Sequence, residues 1–227
     1  MPAAAAAKET RSMSLVLHYH PLSSFCHKAL IALYENGAPF VPKLVDLANP
    51  EHRAEFLRLW PIGKFPVLQD DARGRTIPES SILIEYLEQY YPGKAKLIPE
   101  DPELAREVRF LDRFFDLYVH LPMQQIVGDR LRPEGRSDPH GVEHARSTMR
   151  TALGIVEKDM AKRTWASGGD FGLADCSAAS ALFYANKLMP LAGDYPQVSA
   201  YLHRLMERPS YARTLAEAQP YFSMFPA

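Results

Sequence analysis

Two patterns follow one another along this chain, and their order limits the possible folds more than any other feature. Between Leu15 and Tyr91, short apolar runs alternate with segments of helical periodicity in the order β-α-β-α-β-β-α. Beyond the proline-rich stretch "PGKAKLIPEDP" at 92–102, apolar residues recur only at helical spacing. Strands and helices mixed within one short segment are typical of an α/β layer. We therefore predict an α/β domain followed by an all-helical domain.

The change of pattern sets the expected domain boundaries. We assign residues 13–92 to the α/β domain, 93–102 to a linker and 103–227 to the helical domain. Residues 1–12, "MPAAAAAKETRS", lack the basic leader and apolar core of a secretory signal. We interpret this segment as a disordered extension.

Within the α/β domain the sequence predicts four strands and three helices. Pro42 lies in the second strand and predicts an edge position, because proline cannot donate to a neighbouring strand. The predicted strands are 15–19, 40–47, 66–69 and 75–78, and the predicted helices are 24–36, 50–60 and 79–91. In the second domain, Pro122 is expected to interrupt a long amphipathic helix.

Composition excludes several classes of function. The net charge is −1 and the pI is about 6.7, so there is no electrostatic footprint for nucleic acid or an anionic membrane. No apolar run approaches the ~18 residues that span a bilayer. Two cysteines, Cys26 and Cys176, do not form a disulfide framework and favour a reducing, cytoplasmic compartment.

A serine pair lies where the first strand passes into the first helix. Ser23-Ser24-Phe25-Cys26 has the spacing of a redox dithiol loop, but its first position is a hydroxyl. Because Cys26 then has no partner, we interpret it as a helix residue that faces the core. Ser24 is a suitable N-cap for the helix.

Two further motifs indicate a binding site. In "GKFPVL" (63–68) a proline opens a strand after a loop, which suits a cis peptide bond and an exposed backbone at Phe65 that an extended peptide could pair with. In "PESS" (78–81), Ser80 is a suitable cap, and the free N–H groups of the following helix attract a carboxylate. Taken alone, the first motif is better explained by a plain trans proline and the second by a simple helix cap.

Taken in order, these motifs resemble the glutathione S-transferase family. The set is "SSFC", "GKFPVL", "PESSILIEYL" and "GGDFGLADCSAASAL" (168–182), and the resemblance extends from Leu15 to about Ser223. It points to a serine-type, bacterial-like member whose class is not assigned. It implies a thioredoxin-like N-terminal domain, an all-helical C-terminal domain, glutathione as co-substrate and no metal.

The resemblance also implies which residues bind glutathione. Glu79 and Ser80 would hold the γ-glutamyl end, and Phe65 would pair with the cysteinyl backbone beside a cis Pro66. Lys64 would meet the glycine carboxylate, which suits the anionic end of the tripeptide.

Some polar residues have weaker assignments. The resemblance implies that His52 assists at the glycine end. His140 and His144 have the i, i+4 spacing of a metal pair, but no carboxylate or cysteine motif accompanies them, so we predict no metal site.

Ser23 is the residue expected to activate the thiol. A free thiol has a pKa near 8.5, and lowering it by ~2 units requires ~2.7 kcal/mol. One hydrogen bond to a charged group supplies roughly 1.5–3 kcal/mol, and a helix N-terminus adds about 0.3–1 kcal/mol. The resemblance places Ser23 as donor to the glutathione sulfur, with Ser24 and Tyr19 as alternative donors.

The implied activity is conjugation of the glutathione thiolate to small hydrophobic electrophiles, as in detoxification. The family resemblance also implies a homodimer. One alternative is a glutathione-dependent isomerase of the zeta type, whose loop also begins with paired serines but has cysteine where this chain has Phe25. Another is a non-catalytic glutathione-binding or interaction protein. No membrane or nucleic-acid partner is expected.

Overall fold

The computed structural model describes residues 15–226, so the predicted extension at 1–12 lies outside the described residues. Its sheet has the order β2-β1-β3-β4, with β2 parallel to β1 and the other two pairings antiparallel. Pro42 therefore lies on an edge strand, as predicted. The strands are β1 Leu15–Tyr19, β2 Val41–Leu44, β3 Val67–Asp70 and β4 Arg75–Pro78.

The helices of this domain agree with the predicted ones except at their caps. They are α1 Ser24–Asn36, α2 Pro50–Leu59 and α3 Ser80–Tyr90. Ser23, not Ser24, caps α1, because its side chain accepts from the backbone N–H of Cys26. Glu79 holds the cap position of α3, so the predicted cap at Ser80 is also wrong by one residue.

The rest of the chain is helical, as expected. Its helices are α4 Pro102–Phe114, α5 Leu121–Arg130, α6 Pro139–Met160, α7 Leu173–Leu188, α8 Pro196–Glu207 and α9 Pro209–Ala218. A short 3₁₀ turn, Gln219–Met224, follows α9. Within residues 15–226, no helix combines the length and apolarity needed to cross a membrane.

Pro122 does not interrupt the long helix, contrary to the prediction. A π-helical segment, Phe115–His120, joins α4 directly to α5. Pro122 lies in the first turn of α5, where a missing backbone N–H is tolerated, and the wide π turn accommodates the proline ring. The segment turns Asp116 and Leu117 toward the first domain, where the candidate site lies.

Helix α7 is the centre of the core. Nearly all of its side chains are buried, and its many alanines and serines let α1 and α4 approach closely. Asp175 stabilises its start by accepting from Gly172 N at 2.9 Å, Ala166 N at 2.8 Å and Tyr201 Oη at 2.5 Å. One apolar cluster includes Ile31 of α1 together with α7, so the two layers share a core.

A buried ion network joins α1 to α4. Lys28 is fully buried, and its Nζ lies 2.6 Å from Asp112 Oδ1 and 2.9 Å from Asp116 Oδ2. It also donates to Ser81 Oγ at 2.8 Å. The two carboxylates compensate the charge of the buried ammonium.

Gly93 makes a close approach that no larger residue fits. A Cβ at this position would lie 1.9 Å from the carbonyl oxygen of Asn36, which also accepts from Lys94 N at 3.1 Å. Gly93→Ala is expected to lower the free energy of unfolding by about 1–3 kcal/mol, because backbone must shift to relieve the overlap. Urea denaturation measures the change.

Gly154 provides the matched control for Gly93. It lies inside α6, and a Cβ added at this position would have open space around it. Gly154→Ala is expected to stabilise the protein by roughly 0.5–1 kcal/mol through helix propensity. Equal effects of the two substitutions would show that the contact at Asn36 carries no cost.

Candidate functional site

One cavity at the junction of sheet and helices gathers the predicted site residues. Its volume is about 420 Å³, within the usual range for a small-molecule site. All six predicted residues line it: Ser23, Lys64, Phe65, Pro66, Glu79 and Ser80. The remaining wall comes from Phe25, Leu47, Gly63, Arg113, Asp116, Leu117, Leu121 and Gln124.

The secondary candidates lie elsewhere. His52 is exposed and lines a different hollow, beside His18 and Lys43. Tyr19 packs against an apolar cluster, and burial raises the pKa of its hydroxyl. Neither residue is among those that line the 420 Å³ cavity. The structure thus separates His52 and Tyr19 from the six residues that converge.

Cys26 is a core residue, as predicted. It is fully buried, and burial raises the pKa of its thiol to about 12. A thiol with that pKa is almost wholly protonated at neutral pH, so it is not a nucleophile.

The turn before β3 presents the backbone at one end of the cavity. The peptide bond between Phe65 and Pro66 is cis, as expected. Gly63 has φ +70, and its Cα faces Leu57 so closely that a Cβ would lie 3.0 Å from Leu57 Cδ2. Glycine is required in this conformation, because other residues disfavour positive φ.

The N-terminus of α3 lies at one end of the cavity. Glu79 has φ 67, an uncommon value for a residue other than glycine, and its side chain makes no capping bond. Ser80 follows it and is only 5% exposed. The first N–H groups of the helix, with its dipole, favour a carboxylate here by about 0.3–1 kcal/mol.

Ser23 and Ser24 lie in the serine loop, which we define as residues 20–25, the turn after β1 with the first two residues of α1, and they have different partners. Ser23 Oγ accepts from Cys26 N at 3.4 Å and lines the cavity. A hydroxyl that accepts in this way keeps its own proton free to donate. Ser24 is 6% exposed, and its hydroxyl is hydrogen-bonded to Nε2 of His120. Ser23 is therefore the serine that can offer a proton inside the cavity.

Side chains from three helices brace the serine loop. His27 Nε2 donates to the Pro21 carbonyl at 2.6 Å, and Tyr184 Oη donates to the Leu22 carbonyl at 2.7 Å. Together with His120, they hold the loop from both sides. No sequence motif marks His27, His120 or Tyr184. Each lies on the apolar face of its own helical segment, where it resembles an ordinary core residue.

His27 is expected to make stability depend on pH. Burial lowers the pKa of its imidazole to about 4, against about 6.5 in an unfolded chain. Between these values the unfolded state binds more protons, so stability falls as pH falls from about 6.5 toward 4. The loss between pH 7 and pH 5 is about 2 kcal/mol.

Urea denaturation of wild type and His27→Gln at both pH values measures this contribution. The variant should lose about 2 kcal/mol less than wild type on acidification. Equal losses in the two proteins would contradict a neutral, buried His27.

The helical domain contributes both apolar and polar side chains to the cavity. Leu117 and Leu121 are 40% and 44% exposed and line the cavity together with Gln124. Arg113 lies 3.5 Å from Asp116, and both residues line the same cavity. The cavity thus combines polar groups with apolar side chains, such as Leu117 and Leu121, that a hydrophobic compound could contact.

No cluster of three or more His, Cys, Asp or Glu side chains suited to a metal ion occurs within residues 15–226. The predicted absence of a metal stays a prediction.

Comparison with known families gives two matches. Residues 17–95 match the glutathione S-transferase N-terminal domain, and residues 139–204 match the glutathione S-transferase C-terminal domain. Together these segments cover most of the chain.

Individual proteins agree with the family matches. A glutathione S-transferase of Pseudomonas putida is 28% identical over 212 residues, covering 90% of this chain and 93% of that protein. The glutathione S-transferase-like protein LUC7 of Fusarium is 31% identical over 169 residues, covering 72% of this chain and 74% of that protein.

A solved structure has the same architecture. The glutathione S-transferase of Methylobacillus flagellatus, crystallised with glutathione bound, superposes with a TM-score of 0.81 at 28% identity. The superposition covers 88% of this chain and 98% of that one. The sheet and the helical domain of this chain therefore have a close counterpart, which was crystallised with glutathione bound.

Proposed function

The chain belongs to the glutathione S-transferase family and is a transferase, and from this premise we propose that it conjugates glutathione to small hydrophobic electrophiles. The observation that carries the proposal is the convergence of six residues from three separate segments on one cavity. These segments are the serine loop, the turn before β3 and the start of α3.

Each end of the tripeptide has a suitable partner. The γ-glutamyl carboxylate would bind at Ser80, where the N–H groups of α3 are free. The cysteinyl backbone would pair with Phe65, as an added strand does. Lys64 would meet the glycine carboxylate at the exposed rim of the cavity. This orientation carries the sulfur toward Ser23.

The chemistry follows from that placement. The Ser23 hydroxyl donates to the sulfur and stabilises its ionised form, since a hydrogen bond to a charged group contributes roughly 1.5–3 kcal/mol. The sulfur then attacks an electrophilic carbon held against Leu117 and Leu121, and forms a C–S bond as the leaving group departs. Ser23 remains a donor throughout and forms no covalent bond.

Binding and turnover test the proposal together. Calorimetric titration should show binding of glutathione and weaker binding of its glycine ethyl ester, which lacks the carboxylate for Lys64. A halogenated nitroaromatic should be conjugated with release of halide. Absence of glutathione binding at millimolar concentration would contradict the proposal.

The same assay separates the alternatives. A glutathione-dependent isomerase of the zeta type would turn over a cis maleyl compound without consuming glutathione. A non-catalytic binding protein would bind glutathione and turn over neither substrate. The position at which the zeta loop has cysteine is here Phe25, whose ring stacks on His120, and this supports conjugation over isomerisation.

We also propose a cytoplasmic homodimer. Large apolar side chains are exposed on neighbouring helices, with Ile82 of α3 at 55% and Phe110 of α4 at 59%. A twofold contact through these helices would cover them. The buried thiols Cys26 and Cys176 suit a reducing compartment.

A further inference from the structure

His120 lies in the π-helical segment of the helical domain and contacts two consecutive residues of the serine loop. Its Nε2 is hydrogen-bonded to the Ser24 hydroxyl. Its ring stacks on Phe25 with centroids 4.0 Å apart and planes at 24°. The side chain is fully buried and does not line the cavity, so it does not touch a bound substrate.

The surroundings of His120 fix the direction of its hydrogen bond to Ser24. The side chains of His27 and Lys28 also lie nearby, and burial lowers the pKa of His120, so the ring is neutral at pH 7. Nδ1 faces Asp116 Oδ1 at 3.9 Å, and a carboxylate there favours the proton on Nδ1. Nε2 is then an acceptor, and Ser24 donates its only proton to it.

This bond has a consequence for the choice between the two serines. With its proton committed to His120, Ser24 has none to give to a sulfur. Ser23, the preceding residue, accepts from Cys26 N at 3.4 Å, and its hydroxyl proton is not bonded to His120. The stack on Phe25 holds the start of α1 against the π-helical segment, which also carries Leu117.

We propose that His120 is a positioning residue, which holds Ser24 and Phe25 so that Ser23 alone points its hydroxyl at the glutathione sulfur. The proposal rests on the proposed function, because it assumes that Ser23 is the sulfur donor. His120 contacts Ser24 and Phe25, and its effect on the reaction is exerted through the position of the neighbouring Ser23. A catalytic group that is displaced by about 1 Å can reduce the rate of the chemical step by 10²-fold.

Two substitutions of His120 distinguish the effect of its hydrogen bond to Ser24 from the effect of its stack on Phe25. His120→Phe keeps a ring against Phe25 and removes the acceptor for Ser24. His120→Gln keeps an acceptor oxygen. The readouts are kcat, KM for glutathione, melting temperature and the apparent pKa of bound glutathione thiol, taken from its ultraviolet thiolate absorbance.

We expect His120→Phe to lower kcat about tenfold and to raise the thiol pKa by about one unit, with KM for glutathione changed less than threefold. His120→Gln should stay within about threefold of wild type. In the Ser23→Ala background, His120→Phe should change the thiol pKa no further. Ser24→Ala should reproduce the effect of His120→Phe. A protein that carries both Ser24→Ala and His120→Phe should have the same kcat and thiol pKa as either single variant.

Tyr201→Phe controls for a general loss of stability. It removes a buried hydrogen bond to Asp175, far along the chain from the serine loop, and should lower the melting temperature without moving the thiol pKa. An unchanged thiol pKa in His120→Phe, or an equal shift with and without Ser23, would overturn the proposal. Failure of wild type to bind glutathione would instead remove the proposed function itself.

Discussion

Ser23→Ala is expected to lower kcat/KM for conjugation by about 10–150-fold. The alanine removes one hydrogen bond to a charged sulfur, which contributes roughly 1.5–3 kcal/mol, and each 1.36 kcal/mol is a factor of about ten in rate. The effect should be largest below the pKa of free thiol, about 8.5, where the enzyme alone supplies the thiolate. Steady-state kinetics with a halogenated nitroaromatic from pH 6 to pH 9 measures it.

Ser23→Thr is the matched control, because it retains a hydroxyl at the same position. Its activity should stay within about tenfold of wild type. Alanine also removes the cap of α1, which costs about 0.5–2 kcal/mol, so the folded fraction of each variant is measured in parallel. A Ser23→Ala protein that is folded and as active as wild type would exclude Ser23 as the donor.

Lys28→Met is expected to cause the largest loss of stability, about 3–5 kcal/mol. Lys28 is fully buried, and its ammonium faces both Asp112 and Asp116. Removing it leaves two buried carboxylates uncompensated, and such breaks of buried pairs are strongly destabilising. Urea denaturation at pH 7 measures the change.

Two further variants make the Lys28 result specific. Lys43→Met breaks an exposed ion pair with Glu55 at 2.7 Å and should cost no more than about 1 kcal/mol. Adding Asp112→Asn to Lys28→Met removes one of the uncompensated charges and should restore part of the loss. If Lys28→Met and Lys43→Met cost the same, the buried network does not stabilise the protein as described.

The sheet and the first helices were predictable because their signals are local. The boundaries of α1 and β4 agree with the predicted ones, and proline placed β2 at the edge. The caps were each wrong by one residue. At α1, either serine satisfies the capping pattern; in the structure Ser23 caps the helix, and Ser24 is hydrogen-bonded to His120.

The residues that the sequence did not reveal come from the helical domain. Asp116, His120 and Leu117 lie on one helical path whose pattern resembles any amphipathic helix. Their approach to the serine loop depends on the π segment, and Pro122 predicted a break there instead. Lys28 likewise follows no motif, since its partners Asp112 and Asp116 lie in α4 and the π-helical segment, far along the chain. Contacts between domains, rather than local propensity, place these groups.

The most direct test of the account is the ionisation of glutathione bound to the protein. Titration of ultraviolet thiolate absorbance, with protein in excess over glutathione, gives the apparent pKa of the bound thiol in wild type and Ser23→Ala. We predict a wild-type pKa about two units below that of a free thiol, and a return toward about 8.5 in the variant. The same low pKa in both proteins would contradict thiolate stabilisation by Ser23.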